Sequence, residues 1–424
     1  MNKDNKEPEY KQSVKNTNKK FKKSNITYVV LLLILTNIIT VFVTNFVSVR
    51  MPNGKVIVSR KTFDNILEFE KLYTIKDKID KYYIGEVNNE ALVDGAAKGM
   101  AAAVNDPYTS YMDQKQFADF TTSTGGSYVG LGIQVGVKDN KIIVVSTFEN
   151  SPAEKVGIKP KDVIEVVNNV PVTGKDLEKA TTMMKGKAGE DVNLTINRDN
   201  EKLNFDVTRE EIELVTVKGQ MLEDGIGFIQ VSMFDEHTAK NFSDAIEKLK
   251  SEGMKSLIVD LRENPGGLLD QTVKMSSEFI PKGKTIVYTE DKNGNRKDYD
   301  SVGGSNIGLP VTILCDGNSA SASEIFIGAL KDYNCATIVG EKTFGKGVVQ
   351  TTFFRERDGF GDGTALKVTI SKYFTPNGKN IHGLGIEPDI VVEYPKELKQ
   401  KPYNRANDPQ LEKAIQVAKE KLNK

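Results

Sequence analysis

From Gly225 to Val339, short apolar runs alternate with helix-length amphipathic segments, and that alternation directs this half of the chain to an α/β core. Ile226–Val231, Ser256–Leu261, Val311–Cys315 and Ala336–Val339 read as strands, and Thr238–Ser251, Leu268–Phe279 and Ala322–Asp332 as helices. A strand-rich block precedes it, residues 119–209. There Tyr128–Val135 reads as one glycine-interrupted strand, and Lys141–Val145, Asp162–Val167 and Val192–Asn197 as others around a helix near Asp176–Met184. Ser151-Pro152-Ala153-Glu154 has the form of a helix entry, with a capping serine and proline at the first helical position. Residues 62–118 carry apolar side chains at three-to-four spacing, such as Phe63, Ile66, Leu67, Ile79 and Tyr82, which predicts two or three short helices ended by a turn at Asp106-Pro107-Tyr108. The tail, 396–424, predicts an amphipathic helix with Leu411, Ile415, Ala418 and Leu422 on one face. With 424 residues the chain has room for several cores.

The N-terminus is lysine-rich, then runs from Ile26 to Val49 without a charged residue. Such a run is long enough to span a bilayer as a helix, and the basic segment 1–25 should stay cytoplasmic. The expectation is a single-pass membrane anchor over 26–49, with everything after it extracytoplasmic. A cleaved signal peptide is the competing reading, but Asn45–Arg50 lacks an alanine-type cleavage site. Lys+Arg and Asp+Glu number 58 each, a balance that argues against a nucleic-acid partner. Cys315 and Cys335 lie in separate apolar stretches and read as free thiols, and no cysteine/histidine cluster has metal-ligand spacing.

Chemistry concentrates in two stretches, Ser319-Ala320-Ser321-Ala322-Ser323-Glu324 and Thr343-Phe344-Gly345-Lys346-Gly347-Val348-Val349-Gln350. The chain has only two histidines, His237 and His382, so a serine nucleophile would draw on another base, and a desolvated lysine suits that task. A serine at a helix start lies beside free amides and the positive end of the helix dipole. Ser321-Ala322-Ser323-Glu324 also fits a capping box, and Ser319 and Ser323 stand equally well on local grounds. Lys346 sits between two glycines, with Phe344, Val348 and Val349 near to desolvate it and Gln350 placed to hold a neutral amine without adding charge. The segment Gly340–Lys346 also matches a phosphate loop, but Gly347 stands where that loop needs a hydroxyl. Gly266-Gly267, after the strand that ends near Asp260, can bring backbone amides to a ligand, so Gly266 or Gly267 with Ala322 are the candidate oxyanion donors. Tyr128-Val129-Gly130-Leu131-Gly132-Ile133 offers amides beside an apolar strand, the arrangement that captures a peptide's terminal carboxylate.

Taken together these motifs resemble the carboxyl-terminal processing (tail-specific) serine peptidases of family S41, over about residues 65–395. The resemblance rests on Asp106-Pro107-Tyr108, Gly130–Ile133, Ser151-Pro152-Ala153, Asp260-Leu261-Arg262, Gly266-Gly267, Ser319–Glu324, Thr343–Gln350 and Gly385-Ile386-Glu387-Pro388-Asp389. It implies Ser321 as nucleophile, Lys346 as general base and Gln350 as the residue orienting it. It also implies a PDZ domain over 119–209 that takes substrates by free, apolar C-termini, and a superhelical, crotonase-like α/β peptidase core over 210–395. A homodimer without cofactor is implied as well. Lys185 stands where relatives commonly carry arginine, which leaves a gating role there as an expectation. An inert PDZ scaffold and a serine–histidine hydrolase using His237 or His382 are the alternative readings.

Overall fold

A computed structural model describes residues 23–46, 49–50, 56–399 and 402–422. The basic tail expected over 1–25 lies almost wholly outside the described residues, as do residues 47–48 and 51–55. Of the apolar run, Ile26–Phe46 lies in the helix Lys23–Phe46, and Val49 begins the short strand Val49–Arg50. Among the described residues, no helix is long and apolar enough to cross a membrane; within this one, exposed apolar side chains are described from Tyr28 to Val41.

The chain divides into two compact units, Met1–Gly95 and Ala96–Lys424. In the first, Ser59 caps the helix Arg60–Glu68 by accepting from the Thr62 amide, and Glu70–Tyr82 follows. Neither helix buries a residue, and Phe63, Leu72, Ile75 and Tyr82 stand exposed.

The second unit contains two cores. Strands Ile133–Lys138, Lys141–Thr147, Val163–Val167, Asp191–Arg198 and Glu201–Thr208 form an antiparallel sheet around Ile142, Val144, Ile164, Leu194 and Ile196. Ile133–Lys138 is its edge strand, and the helices Pro152–Lys155 and Leu177–Met184 pack against the sheet. The single strand expected over Tyr128–Val135 is two. Gly132 takes φ +73°, breaking the chain so that Ser127–Gly130 pairs with Glu210–Glu213 while Ile133–Lys138 joins the sheet. Gly126 is the left-handed cap that closes the preceding helix, Gln114–Gly125.

The larger core is a six-stranded sheet ordered Val217–Met221, Ile226–Val231, Ser256–Asp260, Val311–Cys315, Ala336–Gly340, Ile390–Val391, parallel from the second strand onward. Near-continuous apolar runs suit strands buried on both faces. Helices Thr238–Ser251, Leu269–Ser277 and Ala322–Asp332 cover one face, where the rings of Phe242, Phe279 and Phe326 meet edge to face. The expected tail helix, Pro409–Leu422, covers the other face, burying Leu411, Ala414, Val417 and Ala418 against Phe228, Ile258 and Leu314. It is a layer of the core rather than an appendage, and Arg262 ties it down between Asp260 and Asp408. A second sheet comprises Thr285–Asp291, Arg296–Asp300, Val348–Phe353 and Ala365–Phe374, and Ser110–Met112 pairs with the start of its longest strand.

Candidate active site

Three adjacent parallel strands, Ser256–Asp260, Val311–Cys315 and Ala336–Gly340, send their C-terminal loops to one place. The carboxyl ends of such strands are where open α/β sheets bind ligands. The loops carry Gly266-Gly267, Ser321 and Lys346 respectively.

Ser321 precedes the helix Ala322–Asp332 with φ +54° and ψ −112°, outside the ordinary regions for a residue with a side chain. A strained serine on a sharp strand-to-helix turn is the form in which an exposed nucleophile is usually presented. The structure separates the three candidate serines. Ser319 is fully buried and donates to the Leu261 carbonyl at 2.8 Å, and Ser323 is fully buried and donates to the Asn264 carbonyl at 3.0 Å. Ser321 is only partly buried.

The buried carboxylate of Glu324 organises the site. One oxygen accepts from the backbone amides of Ser321 (2.9 Å) and Lys346 (2.8 Å), the other from Gly345 N (2.7 Å) and the Thr343 hydroxyl (2.6 Å). Read from sequence, Glu324 was a capping-box partner of Ser321; folded, it binds the serine turn to the lysine turn. Burial pushes its carboxyl above the usual range, and these donors pull it back only in part. Tyr373, also buried, donates from its hydroxyl to the Ser321 carbonyl at 3.2 Å.

Lys346 is flanked by glycines for steric reasons. A Cβ on Gly345, which has φ +91°, would lie 2.8 Å from Gly385 N, and one on Gly347 would lie 2.6 Å from His382 N. Burial, then the neighbouring charge of Lys367, holds the Lys346 amine below the ordinary lysine range, against the pull of Asp106 and Glu324. Of the expected desolvating groups, Val348 is buried but Phe344 is not. Phe344 is 54 % exposed; it is Tyr108, from a distant segment, whose ring receives Nζ at 4.9 Å from its centroid. Among the described residues no hydrogen bond joins Lys346 Nζ to Ser321 or to Gln350. Gln350 instead donates to the Thr369 hydroxyl at 3.3 Å. After Gly347 the chain enters the strand Val348–Phe353 rather than a helix, which removes the phosphate-loop reading.

Gly266 and Gly267 face the serine turn. A Cβ on Gly266 would lie 2.7 Å from Ala320 O and 2.8 Å from Ser321 Cβ, and one on Gly267 would overlap Phe234 O. The Gly266 amide already donates to Asn264 Oδ1 at 2.9 Å, whereas the amides of Gly267 and Ala322 have no acceptor among the described residues. Asn264, missed in the sequence, is buried and also donates to the Val231 carbonyl while its own carbonyl accepts from Ala320 and Ser323. His237 occupies the cap position of Thr238–Ser251. His382 meets the Tyr108 ring edge-on, 6.1 Å between centroids. Neither histidine is hydrogen-bonded to Ser321 among the described residues.

Residues 225–392 match peptidase family S41, 129–208 match a PDZ domain, and 43–116 match the N-terminal domain of the activating protease CtpB. The chain is 38 % identical over 363 residues to the carboxy-terminal processing protease CtpA of Bacillus subtilis, covering 85 % of this chain and 75 % of that one. It belongs to the S41 carboxy-terminal processing serine peptidases. A probable CtpA-like serine protease of Staphylococcus aureus is 39 % identical over 371 residues, covering 86 % of this chain and 71 % of its own length. Among solved structures, the photosystem II D1 C-terminal processing protease aligns at 25 % identity with a TM-score of 0.45, covering 79 % of this chain and 89 % of that one.

In this S41 peptidase the PDZ domain holds the remaining candidate residues. The amides of Leu131 and Gly132 have no acceptor among the described residues, and their carbonyls accept from Ala153 and Phe148. Lys185 is exposed with Nζ 5.9 Å from the Tyr128 ring centroid, and Gly130 lies against the same ring. Arg209, buried behind this loop, donates to the carbonyls of Met183 and Met184 at the end of the helix Leu177–Met184.

Proposed function

We propose that the chain is a membrane-anchored endopeptidase in which Ser321 is the nucleophile, Lys346 the general base and Gln350 its orienting partner. The observation that carries this reading is the single Glu324 oxygen that accepts from both the Ser321 and Lys346 amides, fixing the two turns against each other. A substrate C-terminus adds as a strand to the free edge Ile133–Lys138, its carboxylate on the amides of Leu131 and Gly132, with Tyr128, Val129, Gly130 and Ile133 shaping the loop. Lys185, reaching over Tyr128, is the gating residue of that loop. At an upstream peptide bond, neutral Lys346 takes the Ser321 proton as Oγ attacks the carbonyl carbon. The amides of Gly267 and Ala322 receive the oxyanion, leaving Gly266 to shape the turn. Lys346 then gives its proton to the leaving amine, and water releases the acyl group.

The anchor rests on the uncharged run Ile26–Val49, which extends beyond the residues whose side chains are described. It places the peptidase on the extracytoplasmic face of a bacterial cell membrane. A homodimer is supported by the apolar side chains that the helices Arg60–Glu68 and Glu70–Tyr82 leave exposed. To test the whole reading, membrane and secreted proteins are compared between cells carrying the chain and its Ser321→Ala variant. New C-termini that appear only with Ser321 support it, and identical C-termini in both reject it.

A further inference from the structure

The segment that carries Tyr108 is built onto the active site by its own bonds. Asp106 accepts from the Thr109 hydroxyl at 2.6 Å and from the Tyr108 amide at 3.2 Å, closing a tight turn. The Thr109 hydroxyl in turn accepts from the Thr369 amide at 3.2 Å, and Thr369 is the residue to which Gln350 donates. Immediately downstream, Ser110–Met112 pairs with Ala365–Lys367. The turn is thus fixed on the same strand that borders Gln350, and its one aromatic side chain faces the Lys346 amine.

Resting on the assignment of Lys346 as base, we propose that Tyr108 is a positioning residue of that base beside Gln350: its ring holds the lysine amine in the site whenever the amine is not bonded to Ser321. A ring face does two opposed things to an amine. Its bulk excludes water, which favours the neutral form, and its quadrupole attracts the ammonium form. The other groups facing the amine are Lys367, which opposes its charge, and Asp106 and Glu324, which favour it; His382 meets the Tyr108 ring edge-on.

Substitutions separate the two effects on the full-length enzyme, read as the pH dependence of kcat/KM on a fluorogenic peptide with an apolar C-terminus. Tyr108→Phe keeps the ring and should leave the acid limb of the profile in place. Tyr108→Leu keeps bulk without a π face and should move that limb to lower pH. Tyr108→Ala admits water and should move it to higher pH, lowering activity about tenfold on the limb for each unit moved. His382→Gln should not move the limb. Tyr108→Leu and Tyr108→Ala profiles with the wild-type limb overturn the proposal, even if their plateaus fall, since a merely structural tyrosine changes amplitude alone. Retained activity in Lys346→Arg overturns the base assignment instead, so the two failures are told apart.

Discussion

Replacing Glu324 with glutamine keeps the shape of the side chain and removes one acceptor. The carboxylate serves two pairs of donors, Ser321 N with Lys346 N, and Thr343 Oγ1 with Gly345 N. A glutamine can turn its oxygen to only one pair, and its NH₂ then faces the donors of the other. If the oxygen stays with Ser321 and Lys346, the Gly345 amide is left unpaired in a buried site, and the Thr343 hydroxyl, which already accepts from Ile386 N, must reorient. Each buried donor so stranded costs about 1–3 kcal/mol, and loss of the charge on the remaining bonds adds to it, so Glu324→Gln should weaken the site locally by about 2–4 kcal/mol. The lysine turn should loosen, and misplacement by even an ångström costs about a hundredfold in rate. Steady-state kinetics should therefore show kcat falling about a hundredfold with KM for a C-terminal peptide little changed. Hydrogen exchange should show faster exchange at Ser321, Gly345 and Lys346. Wild-type kcat with unaltered exchange at these amides would refute the claim that Glu324 holds the two turns together.

Other substitutions address other parts of the account. Lys346→Arg should be inactive because a guanidinium stays protonated, and a peptide-cleavage assay with full activity would remove the base. Lys346→Met should be inactive yet alter stability in a pH-dependent way. The folded pKa of Lys346 lies below its unfolded value, so between the two the folded state holds fewer protons and stability rises with pH. Denaturation measured across that window should lose this slope in the methionine variant. Gly266→Ala, whose Cβ would lie 2.8 Å from Ser321 Cβ at φ +101°, should abolish cleavage while peptide capture by the PDZ domain, read by fluorescence anisotropy, persists. Gly132→Ala should do the reverse, because its Cβ would overlap Ser151 at φ +73°: anisotropy should show lost capture while short peptides that need no PDZ contact are still cut.

The elements read most closely from sequence were those whose signals are local. Thr238–Ser251, Val311–Cys315 and Ala322–Asp332 have the expected bounds, because helical spacing or a short apolar-rich run is bounded by proline, glycine or polar residues. The strands Val348–Phe353 and Ala365–Phe374 went unread. They are only half-buried, and their pairing is with each other and with residues far away in the chain. The site divides in the same way. Ser321, Lys346 and the paired glycines announce themselves through spacing and small neighbours. Tyr108 reaches Lys346 across 238 positions (346 − 108), where no periodicity applies. Glu324 was legible as a helix cap, but its bonds to Gly345 and Lys346 exist only once two strand-end loops meet.

Labelling with a fluorophosphonate, followed by peptide mass spectrometry, tests most directly whether Lys346 activates Ser321. The probe should attach at Ser321 in the wild-type chain, and labelling should vanish in Lys346→Arg while the fold, judged by circular dichroism, is retained. Attachment at Ser319 or Ser323, or undiminished labelling of Ser321 without the lysine, would contradict it.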